Sequence, residues 1–379
     1  MFYITVKQSP IYHQMTLEEY LFPQNRKSPV VNANTTNTKT YAVEEIGEKY
    51  LQFNDFDAML SKLTDFNKSV ESLRRKNRQD LYETFYIPKK SGGLRRIDAP
   101  TQPLMDALRR LKTIFEVDFG ALYHTAAFAY VKGRCAVDAV KRHQANESKW
   151  FAKLDLHNFF GSTTLDFVMR QFSMVFPFCV IAKYEKGRQE LEKALELAFL
   201  DGVLPQGTPI SPLITNIMMI PVDYTLSKQL RDHQKQSFVY TRYADDFTIS
   251  SRYQFSVPEL EQLVLRTLKE FHAPFSLNRN KTRYGSSSGQ NWNLGVMLNK
   301  DNQITVGYKK KRQFQAMLSS YVMDRKNGVR WELSDIQAMD GLRNYYRMVE
   351  GETIDRIVSH VGEKYQVNIV SMIREDLRS

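Results

Sequence analysis

Between Trp150 and Asn278 the chain alternates element types in an order that few folds accommodate. "WFAKLDL" (150–156) is a short apolar strand, "SPLITNIMMIPVDYTL" (211–226) an apolar run of helical length, and "FVYTRYADDFTIS" (238–250) two alternating runs that meet at a tight turn. "PELEQLVLRTLKEF" (258–271) then places Leu260, Leu263, Val264, Leu268 and Phe271 on one helical face, and "PFSLN" (274–278) returns as a strand. The order is β-α-β-β-α-β. It predicts an α+β fold of the split βαβ, ferredoxin-like kind, with the first strand beside the hairpin in one antiparallel sheet and both helices on its other side.

That topology gives meaning to two adjacent carboxylates. Asp245 and Asp246 sit together in the hairpin turn, where like charges repel unless the turn is solvated or a cation neutralises both. An Asp-Asp pair alone is a weak signal in a chain of 379 residues. The predicted sheet, however, brings Asp155 to the same edge, although 90 positions separate it from Asp245. Three carboxylates on one edge call for divalent cations, and hard oxygen donors with water-filled positions suit Mg²⁺, with Mn²⁺ as a substitute. Two such ions about 4 Å apart can activate an attacking 3′-hydroxyl and stabilise a leaving pyrophosphate.

Charge narrows the partner. The formal net charge of +11 favours a polyanion, and nucleic acid ahead of an anionic membrane because no basic amphipathic helix dominates any segment. Cys135 and Cys179 are too few for a disulfide framework or a zinc site, and no histidine has a second ligand at metal spacing. The N-terminus lacks a secretory pattern and no window approaches eighteen apolar residues, so a cytoplasmic protein with no membrane partner is expected. Residues 1–84 remain unassigned, with "NANTTNTKT" (32–40) read as a mobile loop; "FYIPKKSGGLRRIDAP" (85–100) predicts a basic β-hairpin around a Ser-Gly-Gly turn.

In these motifs the chain resembles the reverse transcriptases, specifically the bacterial branch that includes group II intron, retron and defence-associated enzymes. The matching segments are "AKLDLHNFF" (152–160), "LPQGTPISPLITN" (204–216), "YADD" (243–246) and "NRNKT" (278–282), extended by "IPKKSGGLRRI" upstream and "NLGVML" (293–298) downstream. The resemblance implies a right-hand polymerase: fingers and a ferredoxin-like palm over residues 85–300, and a helical thumb over 301–379. It implies that Asp155, Asp245, Asp246 and the backbone carbonyl of Leu156 hold the metals, and that Lys281 is a general acid for pyrophosphate. Lys89 and Arg95 would clamp the incoming triphosphate, with Lys90 and Arg96 facing away. Gln206 and Gly207 would lie under the nucleotide and template base, in a turn stiffened by Pro205, Pro209 and Pro212. Phe160 would exclude a ribose 2′-hydroxyl, against the alternative that Phe159 and Phe160 are both core. Tyr243 would support the primer end or pack the sheet. Lys309, Lys310, Lys311 and Arg312 would bind nucleic-acid backbone, with "GLRNYYRMVEG" (341–351) part of the same thumb.

Two departures bear on the branch. Retron enzymes carry Asn-Ala-x-x-His before the first catalytic strand and Val-Thr-Gly near the thumb, where this chain has "DAVKRH" (138–143) and "NLG" (293–295), which counts against a standard retron. The expected function is RNA-directed DNA synthesis from dNTPs on a structured noncoding RNA, in a retron-like or antiphage defence setting, with an accessory effector protein or a second copy of the chain as further partners. A template-independent or protein-primed DNA polymerase, or a noncatalytic RNA-binding scaffold, would carry much of the same pattern.

Overall fold

A computed structural model describes residues 3–4, 15–16, 56–89, 92–233, 237–286 and 295–378. The segment 32–40, Lys90, and Asn293 and Leu294 of the NLGVML stretch lie outside the described residues. Helix α1 (Phe56–Ser69) turns Met59, Leu63 and Phe66, spaced four and three apart, into the main core. Strands β1 (Tyr82–Pro88) and β2 (Leu94–Pro100) form the expected hairpin, in register from Tyr82↔Pro100 to Pro88↔Leu94. Lys89 N–H donates to the Gly93 carbonyl at 2.9 Å to close its loop. Gly92 and Gly93 both have positive φ, which a residue without Cβ adopts at no steric cost.

Helices α2 (Gln102–Thr113) and α3 (Ala136–Ala145) lead to strand β3 (Trp150–Asp155). The helices that follow include α4 (Leu165–Phe172), α5 (Glu185–Glu196), α6 (Ser211–Met218) and α7 (Ile220–Asp232), with a short helical turn at Phe178–Ala182 between α4 and α5. The run 211–226 is thus two helices meeting at Met219 rather than one, because Pro221 stands in the first turn of α7 and has no N–H to continue α6. The chain then makes β4 (Val239–Tyr243), β5 (Asp246–Ser251), helix α8 (Val257–Glu270) and β6 (Arg283–Ser286).

The four strands lie in the order β4-β5-β3-β6, all antiparallel, which is the split βαβ arrangement. The fourth strand falls at 283–286 and not at 274–278. Phe275 turns instead into the core, 5.0 Å from the Phe159 ring and 5.4 Å from Phe167. Residues 276–278 only clasp the end of β3: His157 N–H donates to Ser276 O, and Asn278 N–H to Asp155 O, each at 2.8 Å. The sheet also buries both faces. Ala152, Leu154, Phe247 and Ile249 join the core shared with α6, α7 and α8. On the other face Phe151 packs with Val137 and Val140 of α3 and with Val296 and Leu298.

After residue 306 the chain is helical. α9 (Tyr308–Lys326), α10 (Leu333–Tyr365) and α11 (Ile369–Asp376) share a separate core that includes Phe314, Leu318, Met339 and Ile354. α10 breaks at Glu350 (φ −147°, ψ 66°), whose carboxylate accepts from Lys311 Nζ at 3.1 Å, Thr305 Oγ1 at 3.1 Å and Val306 N–H at 3.3 Å. Among the described residues, no helix is long and apolar enough to cross a membrane.

Candidate active site

Strand periodicity gathers most of the palm sheet's polar side chains on one face. Asp155 and Asp246 are directly opposed in the β3–β5 ladder, and Lys153, Thr248, Ser250 and Thr241 share their face through the same register. Asp245 occupies the two-residue turn with Ala244, which takes a left-handed φ of 57°. Leu156 N–H donates to the Asp245 carbonyl at 3.1 Å, tying the turn to the end of β3. The three predicted carboxylates therefore come to one edge.

Their electrostatics show crowding. Burial, then the neighbouring Asp246 and Asp155 charges, push the Asp245 carboxyl up to about 6. Burial also raises Asp246, against the opposing pull of Lys153. Two lysines offset the excess: Lys281 Nζ lies 2.9 Å and 3.2 Å from the Asp155 oxygens, and Lys153 Nζ 2.7 Å from Asp246 Oδ2. The bond to Asp155 holds the Lys281 ammonium above its usual range. No ion pair among the described residues reaches Asp245. In this arrangement no group of three or more His, Cys, Asp or Glu among those residues is gathered closely enough to hold a metal ion. The donor set fits hard divalent cations by its chemistry, three crowded carboxylates whose charge two lysines offset only in part.

Lys153 was not singled out from sequence, though its place two residues before Asp155 on a strand puts both on one face. His143 of the "DAVKRH" segment is also buried there, with Nδ1 2.6 Å from Ser250 Oγ and Nε2 2.8 Å from Thr241 Oγ1. It joins α3 to the palm.

The segment between α5 and α6 meets the β1–β2 hairpin. Asp98 N–H donates to the Gln206 carbonyl at 2.8 Å. Gly207 has φ 119°, and a Cβ there would lie 2.9 Å from the Asp98 carbonyl oxygen. Thr208 and Ser211 brace the turn that enters α6: Ser211 N–H donates to Thr208 Oγ1 at 3.1 Å, their hydroxyls lie 2.5 Å apart, and Ser211 Oγ donates to the Pro205 carbonyl at 2.9 Å. Lys89 and Arg95 are exposed on the hairpin, and among the described residues neither is in an ion pair. Burial raises the Tyr130 hydroxyl above its usual range, with Asp245 adding to the rise and Arg95 opposing it. Arg96 turns elsewhere, to Asp98 at 2.8 Å and Asp201 at 3.7 Å. Phe159 is core, whereas Phe160 is half-buried, its ring 5.6 Å from that of Phe159.

The four-residue basic run divides. Lys309 and Arg312 are exposed at the start of α9, with Arg312 against the Tyr308 ring at 5.7 Å. Lys310 Nζ donates to the Gly295 carbonyl at 3.0 Å, and Lys311 pairs with Glu350. Helical geometry turns these two toward the palm junction, which a run of like residues conceals.

A split βαβ sheet with carboxylates at its hairpin, a basic hairpin beside it and a helical unit beyond is the α+β architecture of a nucleic-acid polymerase. The family model "Reverse transcriptase (RNA-dependent DNA polymerase)" matches residues 87–314, and the chain belongs to that family. It is 29% identical over 294 residues to the Escherichia coli retron Ec83 reverse transcriptase, covering 74% of this chain and 87% of that one. With the Escherichia coli retron Ec73 reverse transcriptase it shares 30% identity over 238 residues, 62% of this chain and 73% of that one. Among solved structures, the Candida albicans telomerase in complex with a TWJ fragment of telomeric RNA aligns at 11% identity and a TM-score of 0.42, over 79% of this chain and 61% of that one. The chain is a bacterial retron-type reverse transcriptase, an RNA-directed DNA polymerase of a family that generally depends on divalent metal. The departures at 138–143 and 293–295 therefore do not remove it from the retron group.

Proposed function

We propose that this chain copies a dedicated structured noncoding RNA into DNA, with the chemistry at Asp155, Asp245 and Asp246, in a cytoplasmic retron-like or antiphage defence setting. The observation that carries the reading is the Asp155↔Asp246 register with Asp245 in the adjoining turn. These carboxylates, with the Leu156 carbonyl, would hold Mg²⁺ or Mn²⁺, which when bound supplies charge neutralisation for the 3′-oxygen and the departing pyrophosphate. The chain's own groups do the rest. Lys89 and Arg95, exposed on the hairpin and in no ion pair among the described residues, take the triphosphate of the incoming dNTP. Gln206 and Gly207 form the floor under it, where the absent Cβ leaves room for close backbone approach. Phe160 lies beneath the sugar. Lys281, paired with Asp155 at 2.9 Å, stands at the carboxylate edge and would donate the proton to the departing pyrophosphate. Residues 85–300 then act as fingers and palm, and 301–379 as thumb, with Lys309 and Arg312 on the nucleic-acid backbone.

The test is sequencing of RNA captured with the protein in its native host, together with the DNA it makes. One enriched RNA and a DNA complementary to part of it are expected. Bulk cellular RNA with no enriched species would overturn the dedicated-template reading, and DNA with no complement in the captured RNA would favour template-independent synthesis.

A further inference from the structure

Arg242 is the largest side chain among those fully buried in the described residues, and it lies on the opposite face of the sheet from Asp155 and Asp246. Its guanidinium forks onto Asp223 of α7: Nε donates to Oδ1 at 2.9 Å and Oδ2 at 3.1 Å, and Nη2 to Oδ2 at 2.8 Å. Nη1 spans two further acceptors, Asn216 Oδ1 in α6 at 3.2 Å and the Ala244 carbonyl at 3.1 Å. Asn216 in turn donates to the Ala129 carbonyl at 2.9 Å, and Tyr240 Oη to Asp223 Oδ1 at 2.7 Å. The Arg242 backbone is used as well, its N–H donating to Ala126 O at 2.7 Å and its carbonyl accepting from Phe128 N–H at 2.9 Å.

Packing alone does not account for this. A buried ion pair carries a desolvation cost that an apolar pair of similar volume avoids, so it is weak support for stability. What the guanidinium does, and an apolar side chain does not, is aim a donor at one carbonyl. That carbonyl belongs to Ala244, the left-handed residue immediately before Asp245. The planar fork fixes the direction of Nη1 once Asp223 is engaged. Its other acceptor, Asn216, lies on the helix that grows out of the Gln206–Gly207 segment.

We propose that Arg242 is a positioning residue for polymerisation, holding the Ala244–Asp246 turn in fixed register with α6 and so with the nucleotide floor at Gln206 and Gly207. This rests on the proposed placement of the chemistry at the three carboxylates. Asp245→Asn tests that placement separately, since retained synthesis there would remove the reading whatever Arg242 does.

The experiment compares Arg242→Lys, Asn216→Ala and the apolar pair Arg242→Met/Asp223→Leu, each in the full chain with a template–primer. Lysine can still pair with Asp223 but cannot also reach Asn216 and Ala244. The expected result is a kcat at least about tenfold lower in Arg242→Lys and in the apolar pair, with the dNTP KM changed less than about threefold. Amide exchange at Ala244–Phe247 should quicken even where the melting temperature is kept. Asn216→Ala leaves the Arg242–Asp223 fork intact, and a several-fold lower kcat with faster exchange at the turn is expected. Wild-type kcat and exchange in a folded apolar pair would overturn the proposal and leave Arg242 a packing residue. Should that pair and Arg242→Lys fail to fold, unchanged kcat and exchange in Asn216→Ala would overturn it equally.

Discussion

Lys281 Nζ lies 2.9 Å from Asp155 Oδ1, closing across 126 positions of sequence an ion pair at the edge where the sheet gathers its carboxylates. A cation held by Asp155 would compete with this ammonium for the carboxylate oxygens. Lys281→Met should then lower the Mg²⁺ concentration needed for half-maximal thermal stabilisation, while reducing the rate of nucleotide addition by about 10²-fold or more if it serves as proton donor. Metal titrations followed by melting, paired with single-turnover extension, separate the two effects. An unchanged rate would remove Lys281 from the chemistry.

Asp245 has no ion-pair partner among the described residues, and its neighbours resist its charge. If Asp245 is the metal ligand proposed, Asp245→Asn should abolish extension, at least about 100-fold, because the stabilisation it supplies is specific to the transition state. Melting without metal should be unchanged or higher, because one of three crowded charges is gone. Calorimetry and primer extension on the same preparation check both, and a fall in melting temperature would mean the loss of activity is structural.

The Gly207 position tolerates little. With φ 119° and only 2.9 Å between a built Cβ and the Asp98 carbonyl oxygen, Gly207→Ala should cost about 1–3 kcal/mol of stability and raise the dNTP KM. Denaturant melts with steady-state kinetics measure each. A neutral substitution would show that the hairpin and the turn entering α6 move apart easily.

Phe160 is half-buried beside the core residue Phe159, so truncation should open no large cavity, and if it excludes a 2′-hydroxyl as proposed a clash is relieved. Phe160→Ala is expected to raise the rNTP to dNTP incorporation ratio about tenfold. Competition assays give the ratio, and a parallel loss of both nucleotides would mark it as a packing residue.

Lys309 and Arg312 project to solvent, whereas Lys311 is tied to Glu350 at the break in α10. Replacing Lys309 and Arg312 by Ala should lower the magnitude of the salt slope of template–primer binding by about 1.5 with no change in melting, as expected for two lost phosphate contacts. Lys311→Ala should do the reverse, lowering the melting temperature with little effect on the slope.

His143 gives the acid limit of the fold. Burial, with a smaller push from Arg142, drives its folded pKa from 6.5 down to about 3. The unfolded chain therefore takes up this proton first, and the stability present above pH 6.5 is lost as pH falls from 6.5 toward 3. His124, at about 4, adds to the same decline. Melting curves from pH 8 to pH 4 should show the fall, shallower in His143→Gln, which also loses about 1–3 kcal/mol at pH 7.5 through imperfect pairing with Ser250 and Thr241.

Local pattern was enough for the palm. The period-2 alternation of 238–250 and the 3.6-period face of 258–271 are properties of neighbouring residues, and the order of elements then admits few sheets, so Asp155 meeting Asp246 followed from sequence alone. Other features depend on which groups meet across the fold. The fourth strand moved to 283–286 because Phe275 found a core between Phe159 and Phe167, a long-range packing gain that a five-residue window does not contain. Lys153 and Lys281 became counter-ions, and Lys310 and Lys311 turned inward, because a charge's role is set by the distance to its opposite and not by its neighbours in the chain. Arg242, three residues before Asp245, read as one more polar residue in an alternating strand. Only the tertiary structure placed Asp223, Asn216 and the Ala244 carbonyl around it, and burial makes each of those bonds obligatory.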